Sequence, residues 1–248
     1  MNDERIDAFN QSEGNMNDYE CPKCKNRGYF MTTNSEGYDF LKECECMKIR
    51  RLNKLVKNCG LGDSLDRYKL ENFKHEQEWQ NNIYQSAIRF LNSDANALYI
   101  GGQVGSGKSH ICTGIVRELV YKGYDCYYVV WSDIVTQLKQ NIMERAEEYD
   151  SKLNRMKEAE VLYIDDFFKN EPTRADIDNA FKIINYRYNM CRNNSNSRMK
   201  TIISSEKTLK DLVLIDEAIA SRISEMAQGK FLLAIGKDPE KNMRFKQK

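Results

Sequence analysis

The sequence predicts an α/β fold, a parallel sheet covered by helices on both faces, preceded by a small cysteine-stapled hairpin. Three observations carry this expectation. From about residue 65 onward, short apolar runs alternate with segments of helical period, the pattern produced by crossover connections between parallel strands. The first of these runs, 97–101, leads directly into Gly102-Gln103-Val104-Gly105-Ser106-Gly107-Lys108-Ser109, which fits the phosphate-cradling pattern G-x-x-x-x-G-K-[ST]. Four of the eight cysteines are grouped as Cys21-Pro-Lys-Cys24 and Cys44-Glu-Cys46, and two close pairs of this kind have the spacing of metal ligands.

Taken in order, residues 1–18 are polar, and the first twenty residues hold six acids and one base, which predicts a disordered tail. Residues 28–32 and 38–41 read as strands around the turn 34–37. Zinc held by Cys21, Cys24, Cys44 and Cys46 would staple this hairpin, which is too small for a core of its own. The alternative is a set of free thiols on a flexible arm. Residues 47–58 form a basic helix with Lys48, Arg50, Arg51, Lys54 and Lys57 and no acid, ended near Gly60-Leu-Gly62. The hairpin and this helix together span 19–58, and the basic face would touch nucleic acid or an acidic surface.

The nucleotide domain is expected over 65–236. Its elements are a helix at 76–91, strand 97–101, the loop, a helix at 108–122, strand 126–130 and a long helical stretch at 132–157. Then come the strand ending at Asp165-Asp166, a helix at 174–190, strand 199–204, a helix at 216–226 and a last strand at 230–235. The segment 237–248 holds five bases and two acids and reads as a basic tail in solvent.

The chemistry follows from the loop. Its glycines let successive N–H groups turn inward around a phosphate, and the following helix adds its positive end. Lys108 would reach the outer phosphates of ATP, Ser109 would ligate Mg²⁺, and His110 closes the binding segment 102–110. His110 and His75 each also read as ordinary packing or surface residues. About 55 residues on, Asp165 would help hold Mg²⁺ and Asp166 would orient or deprotonate the attacking water. Alone, a strand ending in two acids is also a common turn signal.

Composition narrows the function classes. A formal charge of +1 excludes a general polyanion binder, while 41% hydrophobic residues suffice for a core. No run approaches the ~20 apolar residues that span a bilayer, and the polar start lacks signal-peptide order. The expectation is a cytoplasmic protein without membrane contact, in which cysteines serve as metal ligands or buried thiols. Cys59, Cys112, Cys126 and Cys191 are isolated and read as small core residues.

The motif order resembles the AAA+ ATPases that load bacterial replicative helicases, the DnaC and DnaI type. The residues that carry the resemblance are the phosphate loop 102–109, the acidic strand 161–166, Thr201-Ile-Ile-Ser-Ser205, and Asp216-Glu-Ala-Ile-Ala-Ser-Arg222-Ile. The cysteine-bearing amino-terminal region is similar to that of DnaI-like and phage-encoded loaders. The resemblance implies an AAA+ sheet and hydrolysis of ATP with Mg²⁺. It also implies self-association through the ATP site, single-stranded DNA as a ligand, and a hexameric DnaB-type replicative helicase as partner, with 19–58 as the partner-docking region. Arg222 matches the arginine finger that completes a neighbour's site. A polar residue, commonly Asn, senses the γ-phosphate in the family; Glu206 stands about there, so Ser204 or Ser205 would take that role. Only 26 residues follow Arg222, which implies a core without the carboxy-terminal helical lid. Candidate DNA contacts are Lys139 and Arg145 with Tyr127, Tyr128 and Trp131 nearby, though strand aromatics are more often core.

Rival readings are a transposition helper ATPase of the IstB type, a small-molecule kinase, and a zinc adaptor that does not hydrolyse ATP.

Overall fold

The computed structural model describes residues 2–194 and 197–245. The chain divides into two compact units, Met1–Val56 and Lys57–Lys248.

In the first unit, α1 (Asn2–Gln11) precedes an antiparallel hairpin of β1 (Tyr29–Thr33) and β2 (Asp39–Glu43), and α2 (Cys46–Asn58) follows. The helix α1 stands where composition predicts a disordered tail. It is secured by Asn10, whose amide donates to the Met31 carbonyl and accepts from the Met31 N–H, each at 3.0 Å, so one side chain serves both backbone groups of an edge residue. The basic face of α2 also differs from expectation. Arg50 is buried, paired with Asp18 and donating to the Tyr19 carbonyl at 2.5 Å, while Arg51 grips Glu43 with two bonds of 2.8 Å. Lys48, Lys54 and Lys57 are exposed.

The second unit opens with α3 (Ser64–Arg67), a 3-10 turn at Leu70–Asn72 and α4 (Glu78–Leu91). It continues through β3 (Ala97–Gly102), α5 (Lys108–Tyr121), β4 (Cys126–Val130), α6 (Trp131–Glu144) and α7 (Ala146–Glu158). Then follow β5 (Val161–Asp165), α8 (Arg174–Asn193), β6 (Lys200–Ser205), α9 (Leu209–Ile215), α10 (Glu217–Met226) and β7 (Leu232–Ile235). Five parallel strands run in the order β4-β5-β6-β3-β7. Every residue of β3 and β6 is buried, the signature of central strands covered on both faces. Among the described residues no helix is long and apolar enough to cross a membrane.

One expected helix is divided, and a further helix is found that was not expected. The stretch 132–157 turns back at Arg145 (φ −149°, ψ 67°). A single helix of that length would extend about 39 Å and overrun the sheet. Folded back, α6 buries Ile134, Val135 and Leu138 while α7 buries Leu153 and Met156. The added helix is α9, which precedes α10, the helix expected at 216–226. Thr208 accepts from the Asp211 N–H and Asp211 bonds back to Thr208, and Asp216 then ends α9 and caps α10 through the Ile219 N–H at 2.8 Å.

The segment 237–248 is not a solvated tail along its described length. Met243 donates to the Gly105 carbonyl at 2.9 Å, Asp238 N–H reaches Gln103 Oε1 at 2.9 Å, and Asn242 is buried. A backbone carbonyl and a side-chain amide of the phosphate loop are thereby satisfied. Residues 246–248 lie outside the described residues.

Candidate nucleotide site and cysteine centre

The sheet order places the site. Because β6 lies between β3 and β5, with Gly101 opposite Ser205 and Ile164 opposite Ile203, the loop after β3, the acids after β5 and the polar end of β6 meet at the carboxyl edge, where open α/β sheets bind ligands. They border a crevice of about 610 Å³, within the range of small-molecule sites.

The phosphate loop needs its glycines. At Gly102 (φ +115°) a Cβ would lie 2.0 Å from the Ile235 carbonyl oxygen, and at Gly107 (φ +87°), which caps α5, it would lie 2.9 Å from the Phe73 ring. Lys108 is buried, and its ammonium donates to the carbonyls of Gly102 at 3.0 Å and Gln103 at 2.7 Å. Burial lowers its pKa, and the negative charges of Glu206, Asp166 and Asp165 oppose that shift.

Ser109 and Asp165 are brought together, Oγ to Oδ1, at 3.1 Å. Adjacent oxygens around an octahedral Mg²⁺ with bonds of about 2.1 Å are ~3 Å apart, so the pair fits as two of its ligands. Asp165 also accepts from Ser204 and, at 3.4 Å, from the Tyr128 hydroxyl. Asp166 sits at φ 53° and lines the crevice. The positive φ turns it away from the strand direction, a conformation Asp tolerates better than most residues.

Ser205 is turned away from the crevice, a correction to the expectation that it senses phosphate. It is fully buried, donates to the Phe167 carbonyl at 2.6 Å and accepts from the Lys207 N–H at 3.0 Å. Its hydroxyl ties the turn after β5 to the end of β6. Ser204 faces Asp165, and Glu206 lines the crevice.

Gly105, Ser106 and Val104 line the crevice as well, and so does His110. The imidazole lies 5.1 Å from the Tyr68 ring and 5.4 Å from Phe73, with Nε2 2.8 Å from the Lys69 carbonyl. Arg67, Tyr68 and Phe73 also line the crevice; they lie at the ends of the short α3 and the 3-10 turn and belong to no recognisable motif. Arg244 and Lys169 also face the crevice, and neither belongs to a recognisable pattern.

Arg222 does not line the crevice of its own chain. Its guanidinium donates to Asn185 Oδ1 at 3.0 Å and the Ala218 carbonyl at 2.8 Å, 4.9 Å above the Phe181 ring. The candidate DNA contacts do not converge. Trp131 is buried against Phe167 and Phe168, Arg155 covers Tyr127, Lys139 pairs with Asp176 at 2.8 Å and Arg145 with Glu148 at 2.9 Å.

The four grouped cysteines form a buried cluster in the first unit. Cys21 and Cys44 Sγ atoms lie 3.8 Å apart, Cys24 and Cys46 3.5 Å, and all four ligand atoms fall within 4.8 Å of one another. Tetrahedral Zn²⁺ with Zn–S bonds of about 2.3 Å separates its sulfurs by ~3.8 Å, so the set is consistent with zinc. Lys25 (φ 47°) and Asn26 (φ 63°) curl the chain after Cys24, letting the Gly28 N–H donate to its sulfur at 3.3 Å. Burial pushes the Cys24 thiol up, but that N–H and the neighbouring thiols outweigh it and hold the pKa at about 7. Cys46 is pushed up to about 12, by burial first. Cys59, Cys112 and Cys126 are buried apart from this cluster.

A family model described as IstB-like ATP binding protein matches residues 41–229. The phage-like element PBSX protein XkdC of Bacillus subtilis (strain 168) is 27% identical over 253 residues, 96% of this chain and 91% of its own. The replicative helicase loader DnaC of Escherichia coli (strain K12) is 25% identical over 134 residues, 50% of this chain and 51% of its own. The crystal structure of DnaI is alike in fold, with a TM-score of 0.55 at 19% identity over 77% of this chain and 99% of that one. The matched span contains the phosphate loop, both strand-end acids and Arg222, and the chain therefore belongs to the IstB/DnaC-type AAA+ ATPase family.

Proposed function

We propose that the protein hydrolyses ATP and uses the cycle to place a hexameric DnaB-type replicative helicase on single-stranded DNA. The observation that carries the nucleotide half is the convergence of Lys108, Ser109, Asp165 and Asp166 on one crevice. Lys108 would exchange its carbonyl partners for the outer phosphates, and the N–H groups at the start of α5 would hold the inner ones. Ser109 and Asp165 would hold Mg²⁺, which neutralises charge on the phosphate oxygens. Asp166 would orient water for in-line attack on the γ-phosphorus and take its proton as the bond to ADP breaks. Arg222, which lies outside its own crevice, would serve the site of a second copy.

Helicase loading rests on the DnaC relative, whose name states that role, and on the amino-terminal unit. We place the docking surface there, where Tyr38, Phe40 and Leu41 are exposed beside the cysteine-stapled turns. Large apolar side chains exposed together mark interaction sites. A second reading, a transposition helper, is favoured by the family match itself and by the insertion sequence IS5376 putative ATP-binding protein of Geobacillus stearothermophilus, 30% identical over 103 residues.

Native mass spectrometry with ATP, Mg²⁺ and single-stranded DNA, with and without the replicative helicase of the same source, separates the two. Several ATP-bound, zinc-bearing copies on one helicase hexamer are expected. Assembly on DNA with no affinity for helicase would instead favour the transposition helper. If Cys21→Ser/Cys24→Ser retained full helicase binding, the amino-terminal unit would not be the docking surface.

A further inference from the structure

The turn after β5 carries a cation that the motifs do not account for. Lys169 donates from Nζ to Asp166 Oδ2 at 2.8 Å and lies 3.5 Å from Glu206 Oε1. All three line the crevice with Lys108. The base of this arrangement is rigid: Phe167 and Phe168 are buried, stacked at 4.2 Å and packed edge-on against Trp131, and Phe167 N–H donates to the Ser204 carbonyl at 2.9 Å. Phe168 adopts φ 50°, an uncommon conformation for a bulky residue that persists only where packing enforces it. That turn aims Lys169 into the crevice, while its side chain stays 46% exposed and free to swing on its four-carbon stem.

The charges pose a problem that Lys169 solves. Asp165, Asp166 and Glu206 all border the crevice, and Glu206 occupies the end of β6, where a carboxylate alone would repel a terminal phosphate. A lysine held between Glu206 and Asp166 offsets one of those negative charges and gives that corner a cation that can meet the phosphate.

We propose that Lys169 is the residue that reads the γ-phosphate, with Glu206 as its positioning residue, and that it leaves Asp166 to do so. Without a γ-phosphate the ammonium sits on Asp166 and occupies the carboxylate that must orient water. A triphosphate competes for Lys169, Glu206 retains it at the edge of the site, and Asp166 becomes available for water. The inference rests on the reading of the crevice as an ATP site and assigns its phosphate sensing to a pair outside the usual polar position.

The test is equilibrium binding of fluorescent ATP and ADP analogues with Mg²⁺ to wild type, Lys169→Met, Glu206→Gln and the double variant. Lys169→Met is expected to weaken ATP by about tenfold or more while ADP stays within about twofold, because only the triphosphate supplies the charge-assisted partner. Glu206→Gln alone should cost ATP less. The double variant should bind ATP more tightly than Lys169→Met, since the uncompensated repulsion is gone, a non-additivity that a merely structural role would not give. Equal weakening of ATP and ADP by Lys169→Met, or no change in either, would overturn the assignment. In that event, loss of both nucleotides in Lys108→Ala would leave the ATP site itself standing. Failure of the wild type to bind either nucleotide would remove both readings together.

Discussion

At the residue scale, two charged groups of the crevice already have partners that a nucleotide would replace. Lys108 is held by two loop carbonyls and Asp166 by Lys169, so binding exchanges partners and does not require an unpaired buried charge. Truncating Lys108 removes the buried cation, and Lys108→Ala should abolish measurable ATP binding in a titration that detects the wild-type complex. Asp166→Asn should keep ATP affinity within a few-fold and lower turnover by about 10²- to 10⁴-fold, the usual worth of a positioned proton acceptor. Single-turnover kinetics with saturating ATP would distinguish the two. A variant as fast as wild type would remove Asp166 from the water-orienting role.

At the scale of elements, the sheet depends on polar clamps as much as on its apolar faces. Arg187 on α8 is fully buried and, among the described residues, pairs with no carboxylate. It donates to the carbonyls of Met156 at 3.2 Å, Lys157 at 3.1 Å and Ala159 at 2.7 Å, to that of Lys200 at 2.8 Å and to Thr201 Oγ1 at 2.8 Å. Burial lowers its pKa to about 10, still cationic at neutral pH. The fork closes the end of α7, whose last carbonyls have no partners within the helix. Arg187→Met keeps the volume but strands those carbonyls, and a loss of about 3 kcal/mol is expected in urea unfolding. Less than about 1 kcal/mol would mean water replaces the guanidinium.

Asp176 caps α8 through Thr173 and pairs with Lys139. Burial alone would raise its pKa, but Lys139 and the Thr173 bonds bring it below 3.8. A depressed carboxylate pKa means the stabilisation is present above the unfolded value and lost as pH falls through the folded one. Asp176→Ala should therefore cost about 1 kcal/mol at pH 7, with the gap to wild type closing as pH drops below 3.8. A gap independent of pH would assign the cost to lost packing.

At the scale of the whole molecule, the two units rest on different physics. The second has a core formed by buried strands and helices, whereas the buried residues of the first are largely its four cysteines and Arg50. With so little apolar core, this unit would draw much of its folding free energy from zinc held by the four cysteines. Chelation should collapse the amide dispersion of β1 and β2 in NMR spectra while ATP affinity stays within about twofold. A hairpin that keeps its spectrum without metal would show that hydrogen bonds such as the Asn10–Met31 pair suffice.

The phosphate loop, the strand-end acids and the cysteine pairs were legible in the sequence because each is local: glycine dihedrals, a lysine at the start of the helix that follows a strand and a short loop, and sulfur spacing within a hairpin depend on neighbours a few positions away. The helix break at Arg145 was not, since it follows from the length of the sheet that α6 and α7 must cover, and neither was the short helix α9 ahead of the expected α10. Only the tertiary structure decided that Ser205 faces inward while Ser204 meets Asp165, because that choice depends on the pairing of β6 with β3 and the turn after β5. The same holds for Arg50, whose partners Asp18 and Asn26 come from a different segment. Lys169 and Arg244 reach the crevice through a strained turn and a terminal strap, and neither carries a spacing that sequence could register. Local backbone chemistry announces where phosphate binds, and long-range packing determines which charges face it.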